Sequence, residues 1–212
     1  PLNGRNFEYM GEDPFLVSKI AVPYIKAIQD NGIAVCVKHF ALNNQEYQRD
    51  TVNVEVSERA LREIYLPAFK AAVTGLMLIN VLGLKGEWKF DGAVISDWSG
   101  TKNAYEAAMN GLDIEMGTLK PYNEYYMADS LLYFVRNGKV PMEKLDDKVR
   151  RVLKLNLRTA MNRNRPWGSF NTKEHTDLAR HIAEQGIVLL KNRDNILPVD
   201  TKKCRKIAVI GE

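Results

Sequence analysis

A chain of 212 residues is long enough for one domain, or for one and part of a second. Its 45% hydrophobic and 26% charged residues are ordinary for a globular fold, and a net charge of +4 on scattered Lys and Arg argues against a nucleic-acid binder. No apolar run approaches the roughly 20 residues that span a bilayer, and the two Cys and three His lack metal-ligand spacing.

In chain order, the polar loop Asn3-Gly4-Arg5-Asn6-Phe7-Glu8 leads to Asp13-Pro14, an N-cap followed by Pro at the first helical position. Leu16, Ile20, Tyr24, Ile25 and Ile28 recur at helical spacing up to Asn31-Gly32, and Pro23 within that run is expected to kink or split the helix. Ile33 to Val37 is a predicted buried strand that delivers Lys38-His39-Phe40 at its C-terminal end. A polar loop from Asn43 to Thr51 carries Glu46 and Arg49. Ser57 is placed to cap a helix with Leu61, Ile64, Tyr65 and Phe69 on one face, interrupted by Pro67. Ala71 to Glu87 is too apolar for a loop and too broken by Gly75, Gly83 and Gly86 for one element.

Ala93 to Ile95 is a short apolar strand bounded by Asp91-Gly92 and Ser96-Asp97-Trp98. A carboxylate at the C-terminal tip of a buried parallel strand is where α/β barrels and open α/β sheets place their chemistry. An Asp after a strand also serves as a helix N-cap or turn residue, and position alone leaves both roles open for Asp97. A helix near Thr101 to Asn110, a strand at Leu112 to Met116 and a helix near Glu124 to Arg136 follow. The next helix, Met142 to about Met161, sets Leu145, Val149, Val152 and Leu153 on one face, and its many Lys and Arg are expected to form a solvated one. Asn162 to Phe170 reads as a linker, then a helix from Lys173 to Glu184, a strand from Gly186 to Asn192 and a last strand from Lys206 to Glu212. Strands alternating with amphipathic helices predict an α/β fold with a parallel sheet, and three strands before residue 120 amount to half a barrel or half a doubly wound sheet.

Several of these blocks, in this order, resemble glycoside hydrolase family 3, and bacterial β-glucosidases in particular. They are Gly4-Arg5-Asn6-Phe7-Glu8 with Glu12-Asp13-Pro14, Lys38-His39-Phe40 with Asn43-Asn44-Gln45-Glu46, and Ser57 to Tyr65. Phe90-Asp91-Gly92 with Ser96-Asp97-Trp98, Gly111 to Met116, and Val188 to Asn192 with Ile196-Leu197-Pro198 complete the set. The resemblance implies a partial TIM-like (β/α) barrel over residues 1–161, a linker and linker helix over 162–185, and the first strand or strands of an α/β sandwich over 186–212.

It also implies a retaining mechanism, in which a carboxylate attacks the anomeric carbon and water then hydrolyses the glycosyl-enzyme. Asp97 matches the nucleophile, and Arg5, Lys38 and His39 match residues that bind the sugar. Arg49 is a further candidate from the polar loop, and Trp98 either stacks on the aglycone or packs beneath the strand tip. Asp113 and Glu115 read as structural, and His175 and His181 as helix-surface residues. The expected partner is a small β-glycoside or oligosaccharide, with no metal, organic cofactor, nucleic acid or membrane, and the oligomeric state is open. Lys38-His39-Phe40 continues into Ala41-Leu42, unlike the Pro-Gly-His-Gly-Asp loop of the family's N-acetylglucosaminidases.

Two departures matter. The family's acid/base Glu lies in its second domain, and the Tyr that touches its nucleophile belongs to a strand missing from the short Ala71–Glu87 stretch. Together they lead us to expect a fragment, inactive as an isolated chain. A non-catalytic sugar-binding member and a β-xylosidase-type hydrolase are the alternatives.

Overall fold

The structure, a computed structural model, describes residues 3–48, 51–75, 88–117 and 119–200, with 202–204, 206, 208 and 210. The chain divides into two compact units, residues 1–166 and 167–212.

In the first unit, helix α1 (Pro14–Asp30) starts where the Asp13 carboxylate accepts from the backbone N–H groups of Phe15 and Leu16. It continues through Pro23 without a break, contrary to the expected split. Pro23 removes one backbone donor from the helix, while its neighbours Ala21 and Ile25 are buried in the core and hold the turn in place. Ser57 caps the next helix through a bond from the Ala60 N–H. There α2 (Glu58–Ala60) widens into a π turn at Leu61–Tyr65 before α3 (Leu66–Gly75). Pro67 has no N–H for the Glu63 carbonyl, and a widened turn beside it lets the helix continue rather than stop.

Helix α4 (Ala104–Asn110) is capped by Asn103, which accepts from the Glu106 N–H, and ends at Gly111 with φ +102°, a left-handed cap that favours glycine. The predicted helix from Glu124 to Arg136 is instead a 3₁₀ turn, a π turn at Tyr126–Ser130 and a short α5 (Leu131–Arg136), with non-helical backbone at Ala128. Helix α6 (Met142–Arg158) follows. No helix among the described residues is long and apolar enough to cross a membrane.

The main core joins Ala21, Ile25, Ala72, Phe90, Val94 and Leu112, with Val35, Val37 and Phe40 packed against them. A second cluster of Ala108, Leu131 and Val140 lies with Phe134 and Leu145. Helix α6 departs from the expected solvated basic face at two residues, while Arg150 and Arg158 are exposed as expected. Lys148 is buried and its Nζ donates to the Leu112 carbonyl at 2.6 Å. The Arg151 guanidinium donates through Nη1 to the carbonyls of Phe90 and Gly92, at 3.1 and 2.8 Å. Long aliphatic stems let both cations reach backbone oxygens beneath the helix, while Val149 and Leu153 of the predicted apolar face are about half exposed.

Among the described residues the predicted strands are extended segments with little pairing. Among the described residues one parallel pairing is present, Ile95 with Ile114. The Val94 carbonyl accepts from the Asp113 and Ile114 N–H groups, and the Ser96 N–H donates to the Ile114 carbonyl. Ile33 to Val37 has no strand partner among the described residues. A strand forms only where a second backbone lies alongside, and a cavity of about 290 Å³ instead lies between Ile33–Val35 and Asp91–Ala93. The apolar part of the irregular stretch, Leu76 to Val81, falls outside the described residues.

In the second unit, α7 (Lys173–Gly186) is capped by Thr172, which accepts from the His175 N–H. The side chain of Asn192 bonds both the carbonyl and the N–H of Leu197, closing the loop around Arg193–Asn195. Ile187 to Leu190 is exposed and carries no strand pairing among the described residues, and the second strand expected in this unit, from Lys206 on, falls partly outside them.

Candidate active site

Asp97 sits one residue beyond the hydrogen bond that ties Ser96 to Ile114. Its carbonyl accepts from the Gly100 N–H at 2.9 Å, closing a tight turn, and its Oδ1 accepts from the Trp98 N–H at 2.8 Å. A Cβ at Gly100 would stand 3.1 Å from the Asp97 carbonyl, so the turn has little room for a larger residue. The strand beneath is pinned from the side as well, because the buried Val94 N–H donates to Asp113 Oδ2 at 2.7 Å. Ser96 Oγ accepts from the Met116 N–H, and Glu115 Oε2 from the Met127 N–H. Asp113 and Glu115 therefore bond backbone groups around the strand tip.

Facing Asp97 is the end of the 33–37 segment, where the Lys38–His39 and Phe40–Ala41 peptide bonds are both cis. His39 Nε2 lies 3.7 Å from Asp97 Oδ2 and 3.3 Å from Arg5 Nη2. Arg5 is buried in the first loop, its backbone N–H held by the Asn3 side chain. Its Nε donates to Glu8 Oε1 at 2.6 Å and its Nη1 pairs with Glu46 Oε1. Glu8 Oε2 in turn lies 3.7 Å from His39 Nδ1. One guanidinium thus addresses two carboxylates and an imidazole, the forked geometry for which Arg is suited and Lys is not.

The electrostatics follow. Burial pushes the His39 imidazole below its usual value, Arg5 adds to that and Lys38 does so more weakly, while Asp97 and Glu8 pull the other way. The bond from Arg5 holds the Glu8 carboxyl below the usual carboxylate range, aided by His39 and Lys38 and opposed by desolvation.

Of the residues singled out from sequence, the structure brings Arg5, His39 and Asp97 into one cluster. Lys38 shares with His39 and Asp97 a cavity of about 480 Å³ that also takes in Lys102 and Glu106. Trp98 is half exposed and lines an adjoining hollow of about 290 Å³ with Glu115, Lys120, Tyr125 and Tyr126. Arg49 lies outside the described residues, and His175 and His181 are exposed on α7. Sequence reasoning gave no role to Glu8 and Glu46. The spacing of Glu8 three residues after Arg5 was the available signal, but such pairs are common on helix and turn surfaces and say little alone.

The model of the glycosyl hydrolase family 3 N-terminal domain matches residues 1–81 and, in a second piece, 76–155. The two pieces meet in the irregular stretch between α3 and Trp88. β-Glucosidase BoGH3A of Bacteroides ovatus is 49% identical over 246 aligned residues, which cover 100% of this chain and 33% of the relative. That alignment is longer than the chain, so the relative carries residues with no counterpart here. Among solved structures, β-glucosidase from Kluyveromyces marxianus in complex with glucose superposes with a TM-score of 0.79 at 40% identity, over 94% of this chain and 27% of that one. A family 3 β-glucosidase of Bifidobacterium adolescentis gives 0.80 at 33% identity, over 93% and 31%. The fold is that of these enzymes' TIM-barrel-type N-terminal domain. The chain spans about a third of the length of the relatives it matches.

Proposed function

Because the chain belongs to glycosyl hydrolase family 3, we propose that it carries the nucleophile side of a retaining, exo-acting β-glucosidase site centred on Asp97. The observation behind this reading is the convergence of Arg5, His39 and Asp97 from three separate stretches of chain, with His39 3.7 Å from the Asp97 carboxylate. In this reading residues 1–161 are a part of the barrel, 162–185 the linker and its helix, and 186–212 the start of the sandwich domain.

Asp97 attacks the anomeric carbon of a terminal β-D-glucosyl residue, the bond to the leaving oxygen breaks, and water later releases glucose from the glycosyl-enzyme. The turn at Gly100 and the Asp113–Val94 bond hold the nucleophile's backbone in place, so that little reorganisation is needed at the moment of attack. Lys38 donates charge-assisted hydrogen bonds to ring hydroxyls and so holds the sugar beside Asp97. Arg5 orients the carboxylates and the imidazole around the sugar. Trp98, opening on the adjoining hollow, stacks on the leaving group.

A leaving alkoxide needs a protonated acid beside it. Arg5 holds the Glu8 carboxyl below the usual carboxylate range, so Glu8 does not suit that task. Without a general acid, turnover of ordinary glucosides falls by about 10²–10⁴-fold, so the 212-residue chain alone binds and reacts with sugar but barely turns it over. The same observation favours a non-catalytic sugar-binding protein as the second reading. A β-xylosidase-type enzyme would use the same Asp97 and differ only in the sugar.

An activated 2-deoxy-2-fluoro-β-glucoside separates these readings, because a good leaving group such as dinitrophenolate departs without an acid. We expect stoichiometric labelling of Asp97, seen by mass spectrometry of the digested chain, and faster labelling by the glucoside than by the matching xyloside. Labelling at another carboxylate refutes the nucleophile assignment. Absence of label in a chain that still binds glucose establishes the sugar-binding alternative.

A further inference from the structure

The ring of His39 has one nitrogen on each side of a proton question. Nε2 faces the Arg5 guanidinium at 3.3 Å, and a guanidinium can only donate. Nε2 must therefore accept from Arg5, and the single proton of an uncharged imidazole is left on Nδ1. Nδ1 faces Glu8 Oε2 at 3.7 Å, an anion whose other oxygen is already engaged by Arg5 Nε at 2.6 Å. The two sides of the ring, read separately, give the same tautomer. Asp97 Oδ2, also 3.7 Å from Nε2, would favour the opposite one, but it is farther from that nitrogen than the Arg5 donor.

We propose that Glu8 is the positioning residue of this site: its carboxylate keeps the His39 proton on Nδ1, so that Nε2 faces the cleft beside Asp97 as an acceptor. The assignment rests on the proposed sugar site for its purpose, though not for its geometry. Glu8 spans both partners with its two oxygens, so the same side chain fixes the direction of the Arg5 fork and the tautomer of His39. The consequence for recognition is specific. A substrate hydroxyl at His39 must donate, and to reach the single lone pair of Nε2 it takes the place of the Arg5 contact at 3.3 Å, leaving its own lone pairs for the displaced Arg5 N–H or for Lys38. A ligand that places fluorine at that position accepts only, and meets a lone pair.

The chain has three His, so a ¹⁵N-labelled sample gives few imidazole signals, and His39→Gln identifies the pair belonging to His39. Long-range ¹H–¹⁵N correlation distinguishes a protonated ring nitrogen from a bare one. We expect protonated Nδ1 and bare Nε2 in the unsubstituted chain, and a shift toward a mixture of tautomers in Glu8→Gln, whose amide can donate as well as accept. A proton on Nε2 in the unsubstituted chain overturns the proposal, a result independent of whether the variant folds. An unchanged tautomer in folded Glu8→Gln overturns it too.

Adding glucose separates this inference from the function it rests on. A move of the Nε2 signal that is lost with a monofluoro or monodeoxy glucose alike supports both. A move lost with the deoxy sugar but kept with the fluoro sugar shows Nε2 to be the donor and refutes the acceptor assignment. A tautomer as assigned with no response to any glucose leaves Glu8 in its role and refutes the sugar site.

Discussion

Replacing Asp113 by Ala attacks the strand that carries Asp97 without touching the cleft. The Asp113 side chain is nearly buried, and its Oδ2 accepts the N–H of Val94, a residue with no exposed surface, at 2.7 Å. Hydrogen bonds to charged groups contribute about 1.5–3 kcal/mol, and a buried donor left unsatisfied adds its own desolvation penalty. Water has no route to Val94, so the loss falls at the upper end, about 3 kcal/mol. For a unit of this size each kcal/mol corresponds to about 2–4 °C in melting temperature, so a fall of roughly 10 °C is expected. Asp113→Asn keeps one acceptor oxygen for Val94 while exchanging the other for an amide donor and losing the charge, so its loss is smaller than that of the Ala variant, about 1 kcal/mol.

Urea unfolding followed by circular dichroism measures both variants, and labelling of Asp97 by the activated fluoroglucoside reports whether the strand tip keeps its geometry. An Asp113→Ala chain within about 0.5 kcal/mol of the parent, the scatter of ordinary surface substitutions, refutes the claim that this bond secures the strand. An Asn variant as damaged as the Ala variant shows that the charge, not the bond to Val94, is what matters.

Arg5→Lys keeps one positive charge but presents a single ammonium to three partners, so labelling of Asp97 slows by roughly tenfold, the worth of one charge-assisted bond; an unchanged rate removes Arg5 from the site. His39 has a folded-state pKa lowered from 6.5 mainly by burial and by Arg5, with Asp97 and Glu8 opposing and Lys38 assisting. Between the lowered value and 6.5 the unfolded chain holds the proton and the folded chain does not, so the stability from His39 is full above 6.5 and fades as pH falls toward the lowered value. Titrating unfolding free energy against pH in the parent and in His39→Gln isolates this, and a parent stability that rises on acidification relative to the variant contradicts it. Asn103→Ala removes the cap of α4 and lowers unfolding free energy by about 1 kcal/mol; no loss in urea unfolding means the Glu106 N–H finds another acceptor.

What could be read in advance follows the range of the interactions. The Asp13 and Ser57 caps are local, and a side chain three residues from its backbone partner leaves a mark in the sequence. The tips bearing His39 and Asp97 were visible as short apolar runs followed by polar residues. Pairing was not visible, because whether Ile33–Val37 finds a neighbouring backbone depends on residues far away, and here it faces a cavity. Glu8 was hidden by the commonness of its i,i+3 pairing, and its second contact with His39 spans residues that no local window contains. Lys148 and Arg151 misled for a different reason. A periodicity argument counts a charge as outward facing, whereas a long side chain beside unpaired carbonyls gains more by turning in.

Asp97 and Trp98 are consecutive, yet each opens onto a hollow of its own. A single peptide unit thus marks a border between two neighbourhoods, one walled by Lys38 and His39, the other by Tyr125, Tyr126 and Lys120, with Thr101 and Lys102 lining both. On the proposed reading, drift in the tyrosine-walled compartment alters which leaving groups are welcomed while the chemistry next door keeps its furniture, much as a shared doorpost lets one room be rebuilt while the other stays in use.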